Sequence, residues 1–169
     1  GVAVRVTKPV IAAVHGCCVG VGLAMVQAAD MCIAAEDTSL IYAEPRVGLA
    51  YGLISGLAAR IPHKFAMEVM LRGQPIDANR AERIGMVNAV VTPGKQLDVA
   101  MEWARGIASA APMVIRWLKN SVDNDVLPQG PTFEALRTMT RVQEMIDSHD
   151  FSEGKAAFIE RRKPIFKGE

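Results

Sequence analysis

Apolar and polar positions alternate with two different rhythms along the chain, one in each half. Residues 10–14 form a short apolar run with β-branched side chains, halted by Gly16, as in a buried strand. Residues 15–22 carry Gly16, Gly20 and Gly22 and predict a loop, and residues 23–29 then predict an apolar helix. A second buried strand is expected over 31–35, a turn over 36–38 and a third strand over 39–43, leading into Glu44-Pro45. Strand, glycine loop, helix, strand: this order predicts a mixed α/β layer.

In the second half the pattern changes character to that of helices. Asp77 is placed to cap a helix over 78–84 ended by Gly85, and 86–91 reads as a short strand closed by Pro93-Gly94. Apolar residues at 97, 100, 101, 104, 107, 108 and 111 keep the i, i+3, i+4, i+7 spacing of a helix with one inward face. Pro112 opens another helix, with Val114, Ile115, Leu118 and Val122 aligned. Leu127-Pro128-Gln129-Gly130-Pro131 breaks the pattern, and helices are expected over about 132–148 and again from Phe151.

Charge sharpens this division. Residues 1–30 hold only Arg5, Lys8 and Asp30, whereas residues 140–169 hold twelve charged side chains, so the front is expected to be buried and the tail solvated. Residues 9–29 form a 21-residue stretch without charge, long enough for a bilayer. His15, Gly16, Gly20, Gly22 and Gln27 interrupt it, so it reads as strand, loop and helix rather than as a membrane span. With 19 Lys+Arg against 18 Asp+Glu, no broad basic surface for nucleic acid is expected. The abrupt start at Gly1, without methionine, suggests a fragment or a processed chain.

Cys17, Cys18 and Cys32 are odd in number and lack CxxC spacing, which favours reduced thiols and a cytoplasmic setting over disulfides or a zinc site. No metal is expected, since neither HExxH nor a ligand cluster occurs, and no GxSxG elbow accompanies His15, His63 or His149. Two features can carry chemistry. A glycine loop opening an apolar helix presents free N–H groups and the positive end of a dipole to a developing oxyanion, although the same glycines also suit a plain tight turn. Glu44, beside Pro45 at the end of an apolar strand, is either a desolvated general acid/base or a loop carboxylate paired with Arg46.

Taken together these residues resemble the crotonase family, the enoyl-CoA hydratases and isomerases. Lys8-Pro9-Val10-Ile11-Ala12-Ala13-Val14-His15-Gly16 matches its KPxIAAVxG strand, Gly20-Val21-Gly22 its glycine loop, and Asp30 the acid closing the helix. Glu44 with Gly48 matches PExxxG, Ala66-Met67-Glu68 through Leu71-Arg72-Gly73 matches AxxLxxTG, and Ala81 with Gly85-Met86-Val87-Asn88 matches AxxxGLVN. Glu153-Gly154 with Ala157-Phe158-Ile159-Glu160-Arg161-Arg162 matches the EGxxAFxEKR tail.

The resemblance implies an α/β fold: a crotonase-like ββα spiral layer in residues 1–94, followed by a helical C-terminal trimerisation subdomain in 95–169. It implies a homotrimer or a dimer of trimers. The substrate would be an acyl-CoA, with the coenzyme A thioester entering as substrate and no tightly bound cofactor. Its carbonyl would be held by the backbone N–H of Val21, with Gly20 and Gly22 alongside. A second donor of the family lies upstream of the KPxIAAV strand, outside these residues; losing one such donor costs about 100- to 1000-fold in rate, so this chain by itself is expected to be a poor catalyst. Hydratases of the family use two glutamates; one aligns with Ala24, which carries no proton, and the other with Glu44. A lone carboxylate suits a proton shuttle, so double-bond isomerisation of an enoyl-CoA is expected first, with a one-glutamate hydratase or lyase and a non-catalytic acyl-CoA-binding or assembly subunit as alternatives. Phe158 and Arg161 match positions that touch coenzyme A in the family, and equally suit an amphipathic helix face. The shortened stretch from Ala50 to Gly56 would reshape the acyl pocket.

Overall fold

The computed structural model describes residues 6–48, 54–123, 143–144 and 146–168. The break expected at 127–131, most of the helix expected over 132–148, and residues 50–53 of the shortened stretch lie outside them. The chain winds through β1 (Ile11–Val14), β2 (Cys17–Val19), α1 (Val21–Ala28), β3 (Met31–Ala35), β4 (Ser39–Ile41), α2 (His63–Arg72), β5 (Ile76–Asp77), α3 (Ala78–Arg83) and β6 (Ala89–Val91). Helices α4 (Gln96–Ala108), α5 (Pro112–Ser121) and α6 (His149–Ile159) follow.

From β1 to β4, successive strands belong to different sheets. One sheet has the order β1-β3-β6 and is wholly parallel; the other has the order β2-β4-β5, with β2 and β4 parallel and β5 antiparallel to β4. The chain therefore lays a strand in each sheet and then a helix, the ββα spiral. Gly16, at φ 62°, turns the corner from β1 into β2, a conformation that glycine adopts at little cost. This corrects the expected loop over 15–22: it contains β2, three residues too short for any period to register. It also starts α1 two residues early, at Val21.

Two further boundaries move for a visible reason. Residues 86–91 become a strand only at Ala89, because the Met86 and Val87 N–H groups are spent on the Ala81 carbonyl that closes α3. The strand expected over 39–43 ends at Ile41, before a 3₁₀ turn at Glu44–Arg46. Asp77 caps α3 as expected, accepting the Arg80 N–H at 2.7 Å. Asn88 extends the β3–β6 ladder: its N–H donates to the Cys32 carbonyl, and its Oδ1 accepts the Cys32 N–H at 2.8 Å. Asp30 accepts the Val10 N–H and the Lys119 ammonium, both at 2.6 Å, tying α5 to the turn between α1 and β3.

The core lies between the sheets and helices α1 to α3, where Leu23, Val26, Cys32, Leu40, Leu57, Ala66, Val69 and Ile84 are buried. The charge-free front is less buried than expected. Every residue of β1 is only half-buried, because β1 is an edge strand that pairs with β3 alone among the described residues. The aligned faces of α4 and α5 exist, but of their residues Ala100 is buried, whereas Leu97, Met101, Val114 and Leu118 are exposed. No described helix is long and apolar enough to cross a membrane.

The charged tail is organised by two carboxylates. Ser148 caps α6 by accepting the Phe151 N–H at 3.1 Å. Asp150 accepts the main-chain N–H groups of Lys167 and Gly168 at 2.6 and 2.8 Å. Glu153 accepts the Ile165 N–H at 2.8 Å and forms a forked pair with the Arg162 guanidinium, so residues 163–168 fold back along the helix. The Arg162 pair, followed by the Ile165 N–H, holds the Glu153 carboxyl down to about 2, and the Lys167 N–H leads in lowering Asp150.

Folding thus lowers both values, so the strap's contribution is complete above about pH 4.5 and is lost as pH falls toward about 2. Amide protection at Ile165, Lys167 and Gly168, followed by hydrogen exchange, should disappear in that acid window. Glu153→Ala should abolish protection at Ile165 at neutral pH, leaving the β3 amides unchanged.

Candidate active site

The site is built by the register of β2 on β4. Cys17, Cys18 and Val19 pair with Ser39, Leu40 and Ile41, so two parallel strands end at the same edge. The chain leaves that edge twice, once through Gly20 into α1 and once through Tyr42 and Ala43 into the Glu44 turn. The Gly20 N–H donates to the Ile41 carbonyl at 3.1 Å and fastens the two exits together. Crevices at the carboxyl ends of parallel strands are the usual ligand sites of α/β folds.

Gly20 sits at φ 53°, ψ −111°, which side-chain-bearing residues rarely adopt, and it leaves α1 without a side-chain cap. The first helical bond is Ala24 N–H to the Gly20 carbonyl, at 3.0 Å. The N–H groups of Val21, Gly22 and Leu23 precede it and have no acceptor within the helix, and the helix dipole adds positive potential there. Val21 is 64% exposed, so this end of α1 is open to a ligand. Ala24 lies one turn further along, half-buried, and its methyl group transfers no proton.

Glu44 is 9% exposed. A methyl group built on Gly20 would lie 3.2 Å from Glu44 Oε1, so the carboxylate rests directly against the glycine that opens α1. Its other oxygen, Oε2, is buried and has no hydrogen-bond partner among the described residues. Burial raises the Glu44 pKa above the ordinary carboxylate range, against a smaller opposing effect of its own backbone N–H. Tyr42, two residues before it, is pushed up to about 12 by burial and then by the charge of Glu44. Pairing with Arg46 does not occur: the aliphatic stem of Arg46 packs beside Gly73, whose position also meets the Tyr42 carbonyl. Tyr42 and Gly73 carry no one-dimensional signal for this role, since only folding sets them beside the turn.

Phe158 and Arg161 stand at the far end of α6. Phe158 is 75% exposed, and no ring contact or ion pair joins either residue to the Glu44 turn among the described residues. Arg161 adopts φ 54°, the left-handed position that ends a helix, and the Arg162 N–H returns to the Ala157 carbonyl at 3.0 Å. The neighbouring Arg162 is committed to Glu153 and Glu160, whereas the Arg161 guanidinium has no partner among the described residues. His149 leans on Asp150 at 3.3 Å, and no imidazole partners Glu44. Among the described residues, no three His, Cys, Asp or Glu side chains cluster as a metal site would. A hollow of about 710 Å³ at the other end of α1, among Gln27, Asp30, Arg60 and Lys119, includes neither Glu44 nor Val21.

The open N-terminus of α1 and the buried Glu44 carboxylate thus meet at one edge of the sheet. The sequence profile of the family described as enoyl-CoA hydratase/isomerase matches residues 2–169, and the chain belongs to that family, the crotonases. It is 34% identical over 174 residues to (E)-benzylidenesuccinyl-CoA hydratase of Thauera aromatica, covering 97% of this chain and 64% of that protein. It is 31% identical over 166 residues to carnitinyl-CoA dehydratase of Citrobacter koseri, covering 95% of this chain and again 64% of the relative. Carnitinyl-CoA hydratase from Mycobacterium avium superposes with a TM-score of 0.87 at 32% identity, covering 99% of this chain and 66% of that one. Methylmalonyl-CoA decarboxylase superposes at 0.81 with 27% identity, covering 96% and 64%.

Gly20→Ala tests the contact at the centre of the site. The added methyl group meets Glu44 Oε1 on a backbone that resists it, at a cost of about 1–3 kcal/mol. Denaturant unfolding should register that loss, and the Glu44 carboxyl should titrate closer to the ordinary range.

Proposed function

We propose that the protein containing this chain moves a double bond in an enoyl-CoA thioester from the β,γ to the α,β position, with Glu44 as the only proton carrier. The observation that carries this reading is the contact of Glu44 with Gly20, which brings a carboxylate of raised pKa to the N–H groups of an open helix end. The Val21 N–H donates a hydrogen bond to the thioester oxygen, stabilising the enolate that forms when Glu44 takes the α proton. The protonated Glu44 then delivers that proton to the γ carbon and returns to its starting state. The unpartnered Oε2 supports this role, because no internal donor competes for the proton's place. Ala24 adds no second acid or base, which favours transfer of one proton over activation of water by a pair.

A second reading is favoured by the relatives, whose names specify a hydratase and a dehydratase. In it, Glu44 alone serves both water and the α carbon. We assign Phe158 and the unpartnered Arg161 to coenzyme A, and residues 95–169 to assembly of a trimer or dimer of trimers. The exposed Met113, Trp117 and Leu118 on α5 support the assembly role.

The full-length protein given β,γ- and α,β-enoyl-CoA separates these readings by product. A shifted double bond supports the first, and a 3-hydroxyacyl-CoA supports the second. Glu44→Gln should lower turnover about 100- to 10,000-fold. Undiminished turnover in that variant overturns both. Because folding raises the Glu44 pKa, its stabilising contribution is full below the ordinary value and is lost as pH rises through the raised one. Glu44→Gln should therefore match or exceed the wild type in neutral-pH stability. Arg161→Gly should stabilise α6 by about 1 kcal/mol, by relieving the left-handed residue, while raising the KM for the thioester.

A further inference from the structure

The Glu44 carboxylate is held by little of its own. Oε2 has no partner, and no side chain among the described residues donates to the group, so its location follows from the backbone of the turn that carries it. That turn closes with the Val47 N–H donating to the Glu44 carbonyl at 3.1 Å, and Gly48 comes next at φ 66°.

Here the turn meets α6, backbone against backbone. A Cβ on Gly154 would fall 2.0 Å from the Val47 carbonyl oxygen and 2.9 Å from the Gly48 nitrogen. Reciprocally, a Cβ on Gly48 would fall 2.3 Å from the Asp150 carbonyl oxygen and 3.1 Å from the Phe151 Cα. Asp150 and Gly154 are four residues apart and so share one face of α6. Each glycine leaves the space that the other segment's main chain fills. The atoms nearest to both added Cβ positions are all backbone, which yields less readily than the end of a flexible side chain.

We propose that Gly154 is a positioning residue for Glu44: its missing side chain lets α6 seat the turn at Val47 and Gly48, and this seat sets the carboxylate against Gly20. The proposal rests on the reading of Glu44 as the proton carrier. Residue 154 lies 110 positions from Glu44 and never touches the reacting atoms. A methyl group there pushes the Val47 carbonyl away from the helix and shifts the turn three residues downstream of Glu44. Misplacement of a reacting group by about 1 Å costs about 100-fold.

Gly154→Ala in the full-length protein tests this, with Gly106→Ala on α4 as the matched control, since a Cβ at Gly106 meets nothing within 4 Å. Three readouts are taken: kcat against KM for the enoyl-CoA, Glu44 titration by carboxyl-edited NMR or infrared difference spectra, and the folded fraction. The expected result for Gly154→Ala is a kcat about 10- to 100-fold lower per folded molecule, with KM little changed and Glu44 titrating closer to the ordinary carboxylate range. Gly106→Ala should leave all three as in the wild type. A folded Gly154→Ala protein with wild-type Glu44 titration overturns the proposal, as does a kcat that falls only with the folded fraction. If Gly154→Ala does not fold, Ser148→Ala loosens the start of α6 without adding an atom. The same displacement in titration and kcat is then expected, and no change in either overturns the proposal. Full activity of Glu44→Gln would instead defeat the reading of Glu44, while the titration still judges the seam.

Discussion

Parallel pairing of β2 with β4 is the constraint on which the rest of the molecule depends. Parallel neighbours cannot be joined by a tight turn, so the chain must cross over between them, and it uses the crossing for α1 and β3. The same pairing ends both strands at one edge, which brings Gly20 and Glu44 together across the intervening crossover. A slip of one residue would turn Leu40 out of the core and send the exit toward Glu44 to the other face of the sheet. The buried face of β4 thus protects the geometry of the site as well as the stability of the fold.

Around that edge the protein works with main chain rather than with charge. Gly20 lies beneath the carboxylate, Gly73 beside the Tyr42 carbonyl, and Gly48 and Gly154 in the seam with α6. An arginine or lysine paired with Glu44 would have held it more simply, and would also have lowered its pKa and occupied its free oxygen. Backbone contacts position the group without altering its charge. The cost is a buried carboxylate oxygen without a partner among the described residues, a local instability that suits the proposed proton transfer. At the opposite extreme, Asp150 and Glu153 have their oxygens satisfied by tail amides and Arg162, and the same residue types act there as struts.

Much of this was legible in one dimension. The apolar runs of β1 and β3, the Asp77 cap, the periodic faces of α4 and α5, and the family motifs all follow local rules, and local rules leave local marks. Glu44 stood out because a carboxylate beside a proline at the end of an apolar strand is locally unusual. The β2 strand did not stand out, since three residues show no period. Nor did the openness of the α4 and α5 faces, since amphipathic spacing says that a face is apolar and not what covers it.

What the sequence by itself determined is therefore the inventory: a strand and helix order, a glycine loop, a carboxylate beside a proline, and membership in an acyl-CoA family. Whether Glu44 was paired with Arg46 or left unpaired could not be read from two residues that lie side by side in the chain. Tertiary structure decided it, by turning the Arg46 stem toward Gly73 and the carboxylate toward Gly20. It also brought α6, more than a hundred positions away, into backbone contact with the turn after Glu44. The reason is physical: local patterns record each residue's own preferences, whereas the pKa and aim of a carboxylate depend on which distant backbone excludes water from it.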